Sequence, residues 1–110
     1  MQLTEFNRDG DGFLSNLDSW TPEFARLVAD GEGVEYTEEL DAVIQWARGY
    51  YEEYQVAPKI ADFKKDFYDR GDFEDTGRKA AANYLARLTN GSGMKRIDKI
   101  AGLPKPTGCV

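Results

Sequence analysis

Cys109 is the only cysteine in this sequence, and it stands next to last, after Gly102-Leu103-Pro104-Lys105-Pro106-Thr107-Gly108. A thiolate is the strongest nucleophile that the side chains of this sequence can offer. Pro104 and Pro106 cannot continue a helix, and Gly102 and Gly108 bend at little steric cost. The run therefore reads as an exposed arm of polyproline character, about 25 Å long for eight residues at ~3.1 Å each. A thiol at a mobile tip can enter another protein's active site, which suits a carrier of a small group held on sulfur. The competing reading is an incidental frayed terminus. At an ordinary pKa near 8.5, about 7% of such a thiol is thiolate at pH 7.4; a drop of one unit raises that to roughly 40%. Basic neighbours favour the drop, and the Val110 carboxylate opposes it.

Much other chemistry is excluded. The 110 residues include no histidine. That removes histidine-based triads and dyads, and imidazole-held zinc, copper or iron. One cysteine makes no internal disulfide and no zinc ribbon. No cofactor and no metal site is expected. Asn7 to Asp18 resembles an EF-hand calcium loop, with oxygens at Asn7, Asp9 and Asp11, then Gly12, Leu14 and Asp18. Position 1 is Asn, position 12 is a short Asp, and six residues are too few for an incoming helix. A tight turn is the preferred reading. No run of ~18 apolar residues is present, and the N-terminus lacks a secretory pattern, so the expectation is a cytoplasmic protein with no membrane contact.

Charge is divided along the chain. Residues 1–77 carry 7 basic and 19 acidic side chains, hence −12; residues 78–110 carry 7 basic ones and a single acid, Asp98, hence +6. The basic third is the one that holds the thiol. Lys105, Lys99 and Arg96 are candidates for favouring a thiolate or for docking an acidic partner. The acidic remainder opposes broad phosphate contact, so no direct binding to nucleic acid is expected.

The elements that must position these groups are mostly helices. Leu3–Asn7 and Gly12–Ser15 flank Arg8-Asp9-Gly10-Asp11, a hairpin signal. Thr21-Pro22-Glu23 reads as a helix start, with Phe24, Leu27 and Val28 at helical spacing. Thr37 caps a helix over 38–54 whose stripe runs Leu40, Val43, Ile44, Ala47, Tyr50, Tyr51 and Tyr54. One further helix uses Ile60, Phe63, Phe67 and Tyr68 and ends at Gly71. Another spans Lys79 to Leu88, and a last one carries Met94, Ile97, Ile100 and Ala101. Phe24, Trp46, Tyr50, Tyr54, Phe63 and Phe67 read as core rather than as a base-stacking platform. The expected fold is mainly α, a small orthogonal helical bundle with an N-terminal β-hairpin: one domain over 1–101, then a flexible C-terminal arm over 102–110.

The closing string Lys99-Ile100-Ala101-Gly102-Leu103-Pro104-Lys105-Pro106-Thr107-Gly108-Cys109-Val110 closely resembles the C-terminus of the DsrC/TusE family of sulfur-relay proteins. Tyr36-Thr37-Glu38-Glu39, Val43-Ile44, Arg48 and Tyr50 to Pro58 form a second matching block. Asp11-Gly12-Phe13-Leu14 and Trp20 form a weaker third. Together they cover somewhat over half of the chain. The resemblance implies a helical protein whose penultimate cysteine accepts sulfane sulfur as a persulfide and passes it on. It implies a donor of TusBCD or DsrEFH type. The acceptor would be a tRNA-thiolating enzyme, for 2-thiouridine synthesis, or a sulfite reductase, in dissimilatory sulfur metabolism. The dissimilatory type carries a second cysteine eleven residues before the last, where this sequence has Asp98, so no internal disulfide can form. Leu40-Asp41 stands in place of the family's His-Trp pair, and residues 74–88 replace its usual segment before the tail. These departures describe a divergent paralogue. They leave open an alternative in which the protein docks its arm into a partner and regulates it without cycling sulfur.

Overall fold

The computed structural model describes residues 19–71 and 73–103. The expected hairpin, the calcium-like loop and the segment from Pro104 to Val110 lie outside the described residues. Among those described there are five α-helices, one π-helical turn and no strand.

α1 spans Pro22–Gly31. Thr21 Oγ1 accepts from the Phe24 amide at 3.1 Å, and Pro22 takes the first turn, where its missing N–H costs nothing. Phe24, Ala25, Val28 and Ala29 are buried. α2 spans Glu38–Tyr54, the range that the apolar spacing predicts. Thr37 Oγ1 accepts from the Leu40 amide at 3.1 Å, and Glu38, Glu39 and Asp41 sit where the helix dipole favours acids. Leu40, Val43, Ile44 and Ala47 form its buried stripe. Gln55 ends the helix in the left-handed region, at φ 60°.

α3, Ile60–Phe63, opens where Asp62 Oδ2 accepts from the Lys59 amide at 2.9 Å. The helix expected up to Gly71 is not continuous. Residues Lys64–Tyr68 widen into a π-turn, closed by the Asp69 amide donating to Lys64 O at 2.8 Å. The widening has a packing reason. It brings both Phe67 and Tyr68 onto the aromatic cluster around Phe63, with centroids 5.2 and 6.3 Å away. Tyr84 of α4, Arg78–Leu88, stacks on Phe63 at 6.3 Å.

α5, Met94–Ile100, packs against α1 and α2. Thr89 fixes the link from α4. Its buried hydroxyl donates to Leu85 O at 2.7 Å and accepts from the Gly93 amide at 2.7 Å. The Arg96 guanidinium donates to Thr89 O at 2.6 Å. Ile97, Ile100, Phe24, Leu40, Ile44 and Leu85 are wholly buried, each stabilising the fold by roughly 1.5–3 kcal/mol. The aromatics expected in the core divide. Phe24 and Phe63 are fully buried, Trp46 and Phe67 pack at its margin, and Tyr54 is 54% exposed.

Candidate functional site

The site is built where α5 ends and the thiol-bearing segment begins. A helix leaves its last carbonyls without partners, and they must be satisfied from outside. Here the Gly102 amide donates to Lys99 O at 3.2 Å and the Leu103 amide to Asp98 O at 3.0 Å. This pair of bonds, with Gly102 at φ +72°, is a Schellman ending. Two side chains take the next carbonyls. Trp20 Nε1–H donates to Ile100 O at 3.0 Å, and Arg48 Nη1 donates to Ala101 O at 2.6 Å. The Arg48 guanidinium also lies 4.0 Å from the centre of the Trp20 ring. A cation at a helix C-terminus is stabilised further by the dipole.

Gly102 is required on two counts. A side chain at φ +72° is strained, and a Cβ there would meet the Trp20 ring carbon at 2.5 Å. Leu103 is 2% exposed. The expectation that the arm begins at residue 102 is therefore corrected: Gly102 and Leu103 are packed into the body, held by Trp20 and by the turn itself.

Asp98 lies one turn below this ending and is fully buried, with neither carboxylate oxygen hydrogen-bonded among the described residues. Burial, and then the charge of Asp62, push its pKa up to about 9. At neutral pH the side chain is a neutral acid. It occupies the position at which the Schellman ending usually places an apolar contact for the residue after its glycine.

The basic candidates have different surroundings. Lys99 Nζ lies 2.9 Å from Glu32 Oε1, and Arg96 Nε lies 3.7 Å from the same atom. Both cations are engaged with α1's C-cap residue, and they tie α5 to α1. Cys109, Lys105, Pro104, Pro106 and Gly108 lie outside the described residues. Trp20 and Arg48 stand in the family-like blocks of the sequence, but nothing in the sequence alone assigns them this task. A signal for Arg48 was available: it is the only cation in α2. No group of three or more metal-ligating side chains occurs among the described residues.

Comparison with known proteins gives a consistent result. The family model described as "DsrC like protein" matches residues 1–110. Sulfurtransferase TusE of Yersinia pseudotuberculosis is 33% identical over 102 residues, covering 93% of this chain and 91% of the relative. Sulfurtransferase TusE of Escherichia coli K12 is 31% identical over 106 residues, covering 96% and 94%. The solution structure of Allochromatium vinosum DsrC superposes with a TM-score of 0.78 at 40% identity, covering 96% of this chain and 90% of that one. The oxidized gamma-subunit of the dissimilatory sulfite reductase (DsrC) from Archaeoglobus fulgidus gives a TM-score of 0.79 at 32% identity, covering 96% and 92%. With a family model spanning every residue and relatives above 30% identity over nearly the whole length, the chain belongs to the DsrC-like family.

Proposed function

We propose that this protein is a sulfur carrier that takes sulfane sulfur onto Cys109 and hands it to a partner. The reading rests on one conjunction. The sequence's only thiol follows six residues after Leu103, the point at which Trp20 and the Schellman turn hold the chain, in a family whose curated relatives are sulfurtransferases.

The step is redox-neutral. The Cys109 thiolate attacks the terminal sulfur of a donor persulfide, that sulfur's bond to the donor breaks, and the donor leaves as a thiolate. The terminal sulfur, with its proton, is then the persulfide of Cys109. The reverse exchange delivers it to an acceptor thiolate or an activated acceptor. In-line access and a thiolate are the requirements, and no general base on this chain is needed. Lys105, close in sequence, favours the anionic form; Lys99 and Arg96 serve the α1–α5 packing first. The work is cytoplasmic and leads to tRNA thiolation or to sulfite-reductase-linked sulfur metabolism. Asp98 permits no second thiol, so every transfer is between molecules. The donor, of TusBCD or DsrEFH type, and the acceptor, a tRNA-thiolating enzyme or a sulfite reductase, are both proteins.

The test is mass spectrometry after incubation with a persulfidated donor. The expected result is a gain of one sulfur atom on the peptide holding Cys109, absent in Cys109→Ser and reversed by a thiol acceptor. Binding to such donors with no gain of sulfur would replace this reading with a regulatory one.

A further inference from the structure

A second surface lies along α2, apart from the tail root. Trp46, Tyr50 and Tyr54 follow one another at four-residue spacing, with ring centroids 5.6 and 4.6 Å apart. Phe67 packs on Trp46 from behind these three, with ring centroids 6.2 Å apart, and is not part of the groove's lining. The three rings line a groove of about 560 Å³ whose wall includes Gly49, Glu53 and Asp66.

Three observations set this groove apart from ordinary core margin. Tyr54 is 54% exposed, and with Val56 at 56% it is one of two exposed large hydrophobic residues among those described. Gly49 sits inside a helix, where glycine costs about 1 kcal/mol relative to alanine. Its φ is ordinary and nothing lies within 4 Å of where its Cβ would be, so the fold does not require it. Its effect is to leave backbone bare beside the rings, as close approach by another chain demands. Finally, neither Glu53 nor Asp66 is in a salt bridge among the described residues. Arg70, also on the wall, is the one opposing charge.

We propose that this groove docks an extended, arginine-bearing segment of a partner protein. A guanidinium stacks on the Tyr50 and Tyr54 rings while its N–H groups reach the Glu53 and Asp66 carboxylates, and the segment's backbone crosses at Gly49. Planar cations on aromatic faces with carboxylates at hand form a compact, charge-complementary contact. The charge of −12 over residues 1–77 adds long-range attraction for such a segment. The inference is independent of whether sulfur moves, because this face and the tail root stand on different sides of α2's buried stripe in the helical register. A relay partner would be held here while the thiol works elsewhere.

The experiment is titration of the full chain with the blocked peptide Gly-Arg-Pro-Arg-Gly, observed through the indole N–H resonances. The Trp46 signal is expected to move and saturate, while that of Trp20, engaged with Ile100 O, stays in place. Replacing both arginines by glutamate abolishes the shift. Tyr54→Ala, and separately Glu53→Gln with Asp66→Asn, weaken binding by at least about fivefold. Both are surface changes, and an unchanged melting temperature shows that the fold is intact. No movement of Trp46 at millimolar peptide, or equal movement with the glutamate peptide, overturns the proposal. If Lys105→Glu alone moves the Trp46 signal in the free protein, the groove belongs to this chain's own tail. If dilution alone moves it, the groove belongs to a second copy; either result overturns the partner assignment.

Discussion

At Asp98, burial without a partner keeps the proton on the carboxyl through neutral pH. The unfolded chain releases that proton near pH 4, whereas the folded chain holds it to about pH 9. Between those values the native state binds more protons than the unfolded state, so stability falls as pH rises across this window and levels off above it. Asp98→Asn keeps the shape and removes the titration. Urea unfolding at pH 5, 7 and 9 is expected to show the wild type losing stability at each step, while the variant's curve stays nearly flat apart from smaller contributions of other groups. Parallel curves for the two proteins would show that Asp98 ionises freely. The burial was not read from the sequence, where Asp98 counted as the one acid of a basic segment, although positions 94, 97, 98 and 101 fall on one helical face with Met94, Ile97 and Ala101. The absence of any partner was not legible, because that depends on which groups α2 and α3 turn toward it.

At the scale of an element, the end of α5 depends on parts far away in sequence. Trp20 and Arg48 reach its last carbonyls from 80 and 53 residues away. Gly102→Ala is expected to destabilise the protein by about 1–3 kcal/mol, since it combines left-handed strain with a displaced Trp20 ring. Arg48→Met keeps the apolar stem, removes a charged hydrogen bond, and costs about 1.5–3 kcal/mol. Denaturant midpoints measure both, and a loss under 0.5 kcal/mol for Gly102→Ala (roughly the scatter of neutral surface changes) would show that the turn does not need glycine. Helix positions were readable because caps and apolar spacing act locally. Thr21 and Thr37 perform the capping that their sequence context suggests. The π-turn at Lys64–Tyr68 was not readable, because an ordinary helical turn and a widened one share the same residues; the choice is made by Tyr84 and Phe63 across the core.

For the whole molecule, the division of charge matters more than the net of −6. The thiol belongs to the positive third, so anionic reagents should be drawn to it and salt should weaken the attraction. The rate of reaction of Cys109 with the anionic disulfide DTNB is expected to fall several-fold between about 10 mM and 500 mM salt, while that with neutral iodoacetamide changes little. Equal salt dependence for the two reagents would remove any electrostatic role for Lys105 and its neighbours. Family membership was readable from the closing twelve residues and from the α2 block. The aromatic groove was not, because the periodicity that marks a core stripe also runs through Tyr50 and Tyr54, and only packing decides which rings are covered.

The packing of Leu103 beneath the glycine turn also sets a length. From that anchored residue to Cys109 there are six peptide steps, which span at most about 20 Å when fully stretched. If Cys109 exchanges sulfur as proposed, a partner must bring its own reacting sulfur within that radius of the pivot. Enzymes whose chemistry lies deeper than about 20 Å would be out of range of such a transfer, and adding two residues after Leu103 would extend the radius by about 7 Å.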